Sequence, residues 1–70
     1  MFLKPIKTFY SSVNPTYAVF EEAKQIAINE DCVVEVRWYP NCYAGWYHEY
    51  VFADSNISVL ADKVPQVYGW

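Results

Sequence analysis

The residues of this chain that could do chemistry are its single histidine, His48, and its two cysteines, Cys32 and Cys42. A carboxylate such as Glu35 or Glu49 beside the histidine would make an acid–base pair. Cys42 and His48 could in turn act as nucleophile and base. Neither pair has a third group that would orient the base, and catalytic sites need several convergent groups. We therefore expect that the protein is not an enzyme.

We expect no metal ion and no cofactor. The cysteines and the histidine lack the paired C-x₂-C spacing of zinc sites. Gly45 and Gly69 are the only glycines, so the chain has no glycine-rich loop that would bind phosphate. Cys32 and Cys42 lie at opposite ends of a predicted strand, roughly 20 Å or more apart and beyond the reach of a disulfide. Cys32 should then be a buried apolar residue and Cys42 an exposed thiol.

Length and charge limit the classes of function. With 70 residues, the chain should form one small domain (residues 1–70), filled by aromatic side chains that make up 20% of the sequence. Eight acidic and five basic residues give a net charge of −3, which disfavours a protein that binds nucleic-acid phosphates. No segment is apolar for long enough to cross a bilayer, and the first residues lack the apolar core of a signal peptide. We expect a cytoplasmic protein with no membrane partner.

The centre of the predicted fold is a β-hairpin with strands Cys32–Tyr39 and Ala44–Ala53, joined by a turn around residues 40–43. Apolar and polar residues alternate along the first strand, which is typical of a sheet with one buried face. A three-residue loop would set the register by pairing Trp38 with Trp46. One face then collects the side chains of Cys32, Val34, Val36, Trp38, Trp46, His48, Tyr50 and Phe52. We expect this face, including its histidine, to form the core.

The opposite face of the predicted hairpin carries Arg37, Tyr39, Tyr47, Glu49 and Val51. Arg37 would lie across from Tyr47, where a cation–π contact can form. Glu35 would face Glu49, and Arg37 could bridge the two carboxylates. Tyrosine and arginine are enriched in protein interfaces, and few apolar residues remain in the chain to cover this face. We therefore predict that it is exposed and binds a partner.

A helix is predicted before the hairpin. Asn14 followed by Pro15 is a helix-start signal in which the asparagine caps the helix, and the helix should end near Glu30. The apolar arc that should pack on the sheet contains Val19, Phe20, Ala23, Ile26 and Ala27. Tyr17 and Ile28 lie at the edge of this arc and are either rim residues of the core, which we expect, or a second contact with a partner.

Weaker segments flank the helix and the hairpin. Lys4–Tyr10 alternates like an edge strand, and Ile57–Leu60 fits either a last short strand or a helical turn. Residues 61–70 read as irregular but end in Tyr68 and Trp70, which are too apolar for a solvated tail. The segments together predict an α+β fold: one α-helix packed on a three- to four-stranded, mostly antiparallel sheet, ordered β-α-β-β with or without a last short strand.

Our leading hypothesis is a small acidic protein-binding module that docks its aromatic sheet face, its edge or its C-terminus on a partner protein. The partner-binding residues would be Arg37, Tyr39, Tyr47, Glu49, Val51, Tyr68 and Trp70. If the partner is a nucleic-acid-handling complex, the acidic surface would suit a basic groove. In type only, such a domain resembles accessory proteins encoded by phages and mobile elements, including inhibitors of host defence complexes. No motif extends this resemblance to single residues.

Two other functions are compatible with the sequence. Copies of the chain could cover the apolar face, as in a homo-oligomer or a structural small subunit. Alternatively, Tyr39, Tyr47 and Arg37 could stack on the bases of single-stranded nucleic acid, although the scattered basic residues disfavour this function.

Overall fold

The computed structural model describes residues 4–11, 14–39 and 45–64 of the chain. Its elements in chain order are β1 (Ile6–Ser11), α1 (Tyr17–Glu30), β2 (Val33–Trp38), β3 (Tyr47–Val51) and α2 (Ile57–Asp62). The strands form one sheet in the order β1-β2-β3, in which β1 is parallel and β3 antiparallel to β2. The predicted α+β class and the β-α-β-β order are confirmed. The sheet is mixed because α1 connects β1 to β2, and such a crossover joins parallel strands.

The N-terminal end of α1 lies two residues beyond the predicted start. Thr16 is extended (φ −95°, ψ 173°), and its side chain makes no capping hydrogen bond. Its carbonyl oxygen accepts one of the first helical bonds, from the N–H of Phe20 at 3.2 Å. Pro15 is buried instead of occupying the first helical position. The helix therefore starts at Tyr17, and the expectation that Asn14 caps it is wrong.

The C-terminal end of α1 is fixed next to β1. Asp31 adopts the left-handed conformation (φ 50°), and its N–H donates to the carbonyl of Ala27. Lys7 Nζ donates to both carboxylate oxygens of Glu30, at 3.1 and 3.0 Å. Lys4 Nζ lies 3.1 Å from Asp31 Oδ1. These pairs are exposed and stabilise only weakly, so the main constraint on the helix is its packing.

The core lies between the helices and one face of the sheet. Its buried members are Phe20, Ala23, Ala27, Cys32, Val34, Val36, Trp38, Val51, Ile57, Leu60 and Val64. Ala23 and Ala27 are small, so the helix can approach the sheet closely along its middle. Val19 and Ile26 pack against the edge of this cluster. The predicted helix arc and the predicted burial of Cys32 are confirmed.

Tyr17 and Ile28 are exposed on α1, so the expectation that they join the core rim is wrong. The width of the sheet explains their exposure. Three strands spaced ~4.8 Å apart span only about 10 Å, which is close to the diameter of the helix itself. The sheet therefore covers the middle of the apolar arc and does not reach its edges.

The register of β2 and β3 differs by one residue from the predicted one. Trp38 pairs with Tyr47 rather than Trp46, and Val34 pairs with Val51 rather than Tyr50. Alternate residues of the return strand therefore change faces. Tyr47, Glu49 and Val51 face the helices, whereas Trp46, His48, Tyr50 and Phe52 face away from them.

The space beneath α1 explains this register. Val51 lies opposite Val34 on the helix side, and both side chains are 0% exposed. Ala23 brings the helix close above them, and a tyrosine or phenylalanine in place of Val51 would exceed the available volume. At the end of the hairpin, the ring of Tyr47 stacks on Trp38 with centroids 5.9 Å apart. The larger aromatic residues of the return strand consequently lie on the opposite face.

The cross-strand contacts change with the register. Arg37 pairs with His48, and Glu35 pairs with Tyr50. The predicted contact of Arg37 with Tyr47 and the predicted opposition of Glu35 and Glu49 are therefore wrong. His48 is exposed on the sheet face away from the helices, whereas the sequence pattern predicted a core position.

The segment after β3 forms α2 rather than a last strand. Asn56 Oδ1 accepts hydrogen bonds from Ser58 N at 3.1 Å and Val59 N at 3.5 Å. This is the side-chain cap that starts a helix. Ile57 and Leu60 are buried three residues apart, a helical spacing. The helical-turn alternative is confirmed, and the last strand is wrong.

The observed register predicts that two adjacent substitutions destabilise the fold to different extents. We expect Val51→Ser to lower the free energy of unfolding by about 2 kcal/mol or more, because it removes buried apolar surface and buries a hydroxyl. Phe52→Ser, on the exposed face, should cost less than about 1 kcal/mol. Urea denaturation followed by circular dichroism measures both. A larger loss in Phe52→Ser than in Val51→Ser would contradict the register.

Candidate functional site

One face of the sheet is turned away from both helices, and we call it the open sheet face. It carries alternate residues of the three strands and of the segments that adjoin them: Ile6, Thr8, Tyr10, Val33, Glu35, Arg37, Tyr39, Trp46, His48, Tyr50 and Phe52. The alternation of buried and half-buried residues along β2 separates this face from the core. Within the described residues, the elements that pack on the sheet lie on its other side.

The open sheet face exposes an unusual amount of large apolar side chain. Tyr10 is 63% exposed, Ile6 60%, Trp46 56% and Phe52 48%. Tyr39 and Tyr50 are also exposed on the same face. Single exposed apolar residues are normal on protein surfaces, but contiguous groups of them mark interaction sites. This face is therefore the candidate functional site.

One end of this face is an aromatic cluster, which we call the aromatic end. The rings of Tyr10 and Trp46 meet edge to face with centroids 6.0 Å apart. Tyr39 lies 5.2 Å from Trp46. The guanidinium carbon of Arg37 is 5.9 Å from the centroid of Tyr10 and 5.9 Å from that of Trp46. The guanidinium thus lies beside the Tyr10–Trp46 pair and contacts both rings near the outer limit of cation–π distance.

The charge of Arg37 is not neutralised within the described part of the chain. Its Nε atom is buried and has no hydrogen-bond acceptor there. The ion pairs among the described residues involve Lys4, Lys7 and Lys63, and none involves the arginine. The guanidinium can bind a carboxylate of a partner through its terminal N–H groups, and its contacts with Tyr10 and Trp46 restrict its orientation.

The other end of the face contains an open groove of about 830 Å³. We call it the groove end. It is lined by Lys4, Ile6, Val33, Tyr50, Phe52, Ala53 and Asp54. The lining is mostly apolar, with one basic and one acidic side chain at the rim. An apolar side chain of a partner would fit this composition.

The middle of the face is polar. Thr8 Oγ1 donates to Glu35 Oε1 at 3.1 Å, which holds this carboxylate toward β1. The His48 ring meets Tyr50 edge to face at 5.4 Å. Glu35 and Arg37 are two residues apart on β2, on the same side of the strand, and they are the two residues of the face with a full charge. Together they make its centre electrically balanced.

The acidic excess of the chain lies elsewhere. Most acidic side chains belong to α1, its C-terminal cap, α2 and the helix side of β3: Glu21, Glu22, Glu30, Asp31, Glu49 and Asp62. On the open sheet face, Glu35 and Arg37 balance, and at its rim Lys4 and Asp54 balance. The net charge of −3 is therefore carried by the rest of the surface.

The predicted binding residues divide between the two faces. Arg37 and Tyr39 lie on the open sheet face, as expected. Tyr47, Glu49 and Val51 lie on the helix side, because the register is shifted: Val51 is buried in the core, and Glu49 Oε1 lies 3.8 Å from Lys63 Nζ. Their placement on the exposed face was wrong. Tyr68 and Trp70 lie outside the described residues.

Sequence reasoning missed several members of the face: Ile6, Tyr10, Trp46, Tyr50 and Phe52. The alternation of Ile6, Thr8 and Tyr10 in β1 was a usable signal, because these residues share a face with β2 once the strands pair. No comparable signal existed in β3, where both alternating sets contain aromatic residues.

The arrangement shows little reactive chemistry. Within residues 4–11, 14–39 and 45–64, no three side chains among His, Cys, Asp and Glu come together as a metal site. Cys32 is buried in the core, and Cys42 lies outside the described residues. Neither helix of the described residues has the length and hydropathy that a bilayer span requires.

Comparison with protein-family models, with curated proteins and with solved structures gave no match.

The contact between Arg37 and Trp46 predicts a measurable coupling. We expect Arg37→Met and Trp46→Ala to be non-additive in the free energy of unfolding, with a coupling of about 0.5–1 kcal/mol. A double-mutant cycle in urea provides the value. The same cycle with Arg37→Met and Tyr17→Ala, which are on different elements, should be additive. Additivity of the first cycle would show that the guanidinium gains nothing from the ring.

Proposed function

We propose that this protein is a non-enzymatic protein-binding module that docks its open sheet face on a partner protein. The observation that carries the proposal is the contiguous group of exposed apolar side chains on one face of a sheet whose other face forms the core. Each exposed aromatic ring that becomes buried contributes about 25 cal/mol per Å² of apolar surface. A few such rings supply the binding energy of a typical hot spot.

The two ends of the face support different roles in binding. Trp46 and Tyr10 are exposed at the aromatic end beside the half-buried Arg37, and all three belong to the residue types that dominate interface energies. The groove end is concave and would receive an apolar side chain of the partner. The partner surface that fits both ends is apolar and carries a carboxylate opposite Arg37.

The charge distribution supports an orienting role for the rest of the surface. The balanced open sheet face favours contact with an apolar patch rather than with a strongly basic groove. The acidic side chains of α1, α2 and the helix side of β3 can steer the encounter through long-range attraction to basic regions beside that patch. If the partner belongs to a nucleic-acid-handling complex, the acidic surface of the chain would therefore face basic regions around the contact, and the contact itself would be apolar.

A biological setting follows from the same features. A single small acidic domain with one aromatic docking face suits an accessory or inhibitor protein of the phage or mobile-element type, which acts in the cytoplasm on a host complex. Such a protein needs one surface that covers a site on its target, and it needs no catalytic group.

Matched substitutions test the docking function. An affinity-tagged chain should retain a stoichiometric partner from host lysate, and this partner is then purified. Trp46→Ser should weaken the binding of the purified partner at least tenfold, because hot-spot truncations cost about 2 kcal/mol or more. Tyr17→Ser removes an equally exposed ring from α1 and should leave the dissociation constant unchanged. Calorimetry with the purified partner gives these constants. Wild-type affinity in both Trp46→Ser and Tyr10→Ser, with the fold intact, would refute the proposal.

A second candidate function is binding to single-stranded nucleic acid, and the aromatic end is the observation that favours it. Tyr10 and Trp46 contact Arg37 on an exposed sheet face, Tyr39 packs against Trp46, and such rings can stack on bases. Arg37 is the basic residue of the aromatic end, and Lys4 lies at the opposite, groove end, so we expect oligothymidylate to bind with a dissociation constant above ~100 µM at physiological salt. Titration of tryptophan fluorescence measures it. A constant below ~1 µM that Trp46→Ser abolishes would favour nucleic acid over protein as the ligand.

A further inference from the structure

We propose that, without a partner, two copies of this chain pack their open sheet faces together about a two-fold axis. The axis lies between the two sheets, perpendicular to the strands and at the level of Val36. The two β2 strands therefore face each other in antiparallel orientation. This self-association goes beyond the proposed function, since its occupant is a second copy rather than another protein. Two features of the face support this arrangement, and the other possible axis is unfavourable.

The first feature is the order of charges on β2. Glu35 and Arg37 point to the same face, and two residues along a strand are ~6.7 Å apart. A two-fold axis midway between them places Arg37 of each copy over Glu35 of the other. Stacked sheets lie ~10 Å apart, a gap that an arginine and a glutamate side chain together can span. Each arginine thereby gains the carboxylate that the described part of its own chain does not supply.

The second feature is the shape of the two ends. The same axis places the aromatic end of one copy over the groove end of the other. Trp46 would lie over Phe52 of the second copy, and Tyr39 over Val33. The exposed indole would contact the apolar lining of the groove of about 830 Å³, to which Phe52 belongs. Because the axis is two-fold, each copy supplies one indole and one groove.

The other possible two-fold axis is unfavourable. A two-fold axis parallel to the strands would place Arg37 over Arg37 and Glu35 over Glu35. Like charges that face each other are destabilising, and the groove would then face a groove. The antiparallel arrangement also sets His48 over Tyr50, which repeats the edge contact that these rings make within one chain at 5.4 Å.

The size of the face limits the strength of the dimer. Three strands and four rows of side chains give a footprint on the order of 400 Å², since strands are ~4.8 Å apart and rows ~6.7 Å apart. Standard stable interfaces bury about 800 Å² on each partner. The dimer should therefore dissociate in the range of about 10 µM to 1 mM, where a tighter partner can displace the second copy.

Sedimentation equilibrium of the purified chain tests the arrangement. We expect the average mass to rise from 8.2 kDa toward twice that value as the concentration increases to about 1 mM. Arg37→Glu and Glu35→Arg, each alone, should weaken the dimer at least tenfold, because each puts four like charges in the interface. The exchange of both residues in one chain, Glu35→Arg with Arg37→Glu, should restore it to within about fivefold, since the exchange re-forms both pairs and loses only the ring contacts of Arg37.

Controls separate the interface charges from net charge. Lys24→Glu and Glu22→Arg change the net charge by the same amounts on α1 and should leave the dimer unaffected. A chain that stays monomeric at about 1 mM would overturn the inference, as would a dimer that tolerates Arg37→Glu or that the exchange does not restore. None of these outcomes bears on partner binding, which is measured at concentrations where the chain is monomeric.

Discussion

The close contact between α1 and the sheet is the constraint on which the rest of this structure depends. Ala23 and Ala27 present almost no side chain to the strands, so valines fill the layer beneath them, while Phe20 and Trp38 pack edge to face in the same core. Val34, Val36 and Val51 fill that layer and are each 0% exposed. The volume beneath the helix thereby decides which alternate set of the return strand faces inward.

The open sheet face is a consequence of this packing. Once Val51 faces the helix, the neighbouring Tyr50 and Phe52 must face the other way, because side chains alternate along a strand. The two helices together supply one covering layer, and both lie on the same side of the sheet. Trp46, Tyr50 and Phe52 are therefore exposed on the side of the sheet that the helices of the described residues leave open.

The fold could be predicted from the sequence more completely than the site. The helix arc, the β-α-β-β order and the buried alternate positions of β2 follow from periodicity, which is strong where one side is apolar and the other polar. In the return strand, Trp46, Tyr47, Tyr50 and Val51 provide apolar residues on both sides, so periodicity cannot choose the register. Core volume decides it, and volume depends on tertiary packing. Because the observed register differs from the predicted one, different residues of the return strand lie on the exposed face.

The balance of charge on the open sheet face explains how one surface can be both apolar and specific. The net negative charge lies on the rest of the surface, so two copies or a copy and an acidic protein repel each other in most orientations. Contact is favourable only where apolar surface is buried and Arg37 meets a carboxylate at the same time. The ring contacts of the guanidinium hold it in place before binding, which lowers the entropy lost on association. In the proposed docking, the charge pattern would therefore select the orientation, and burial of the aromatic residues would supply the binding energy.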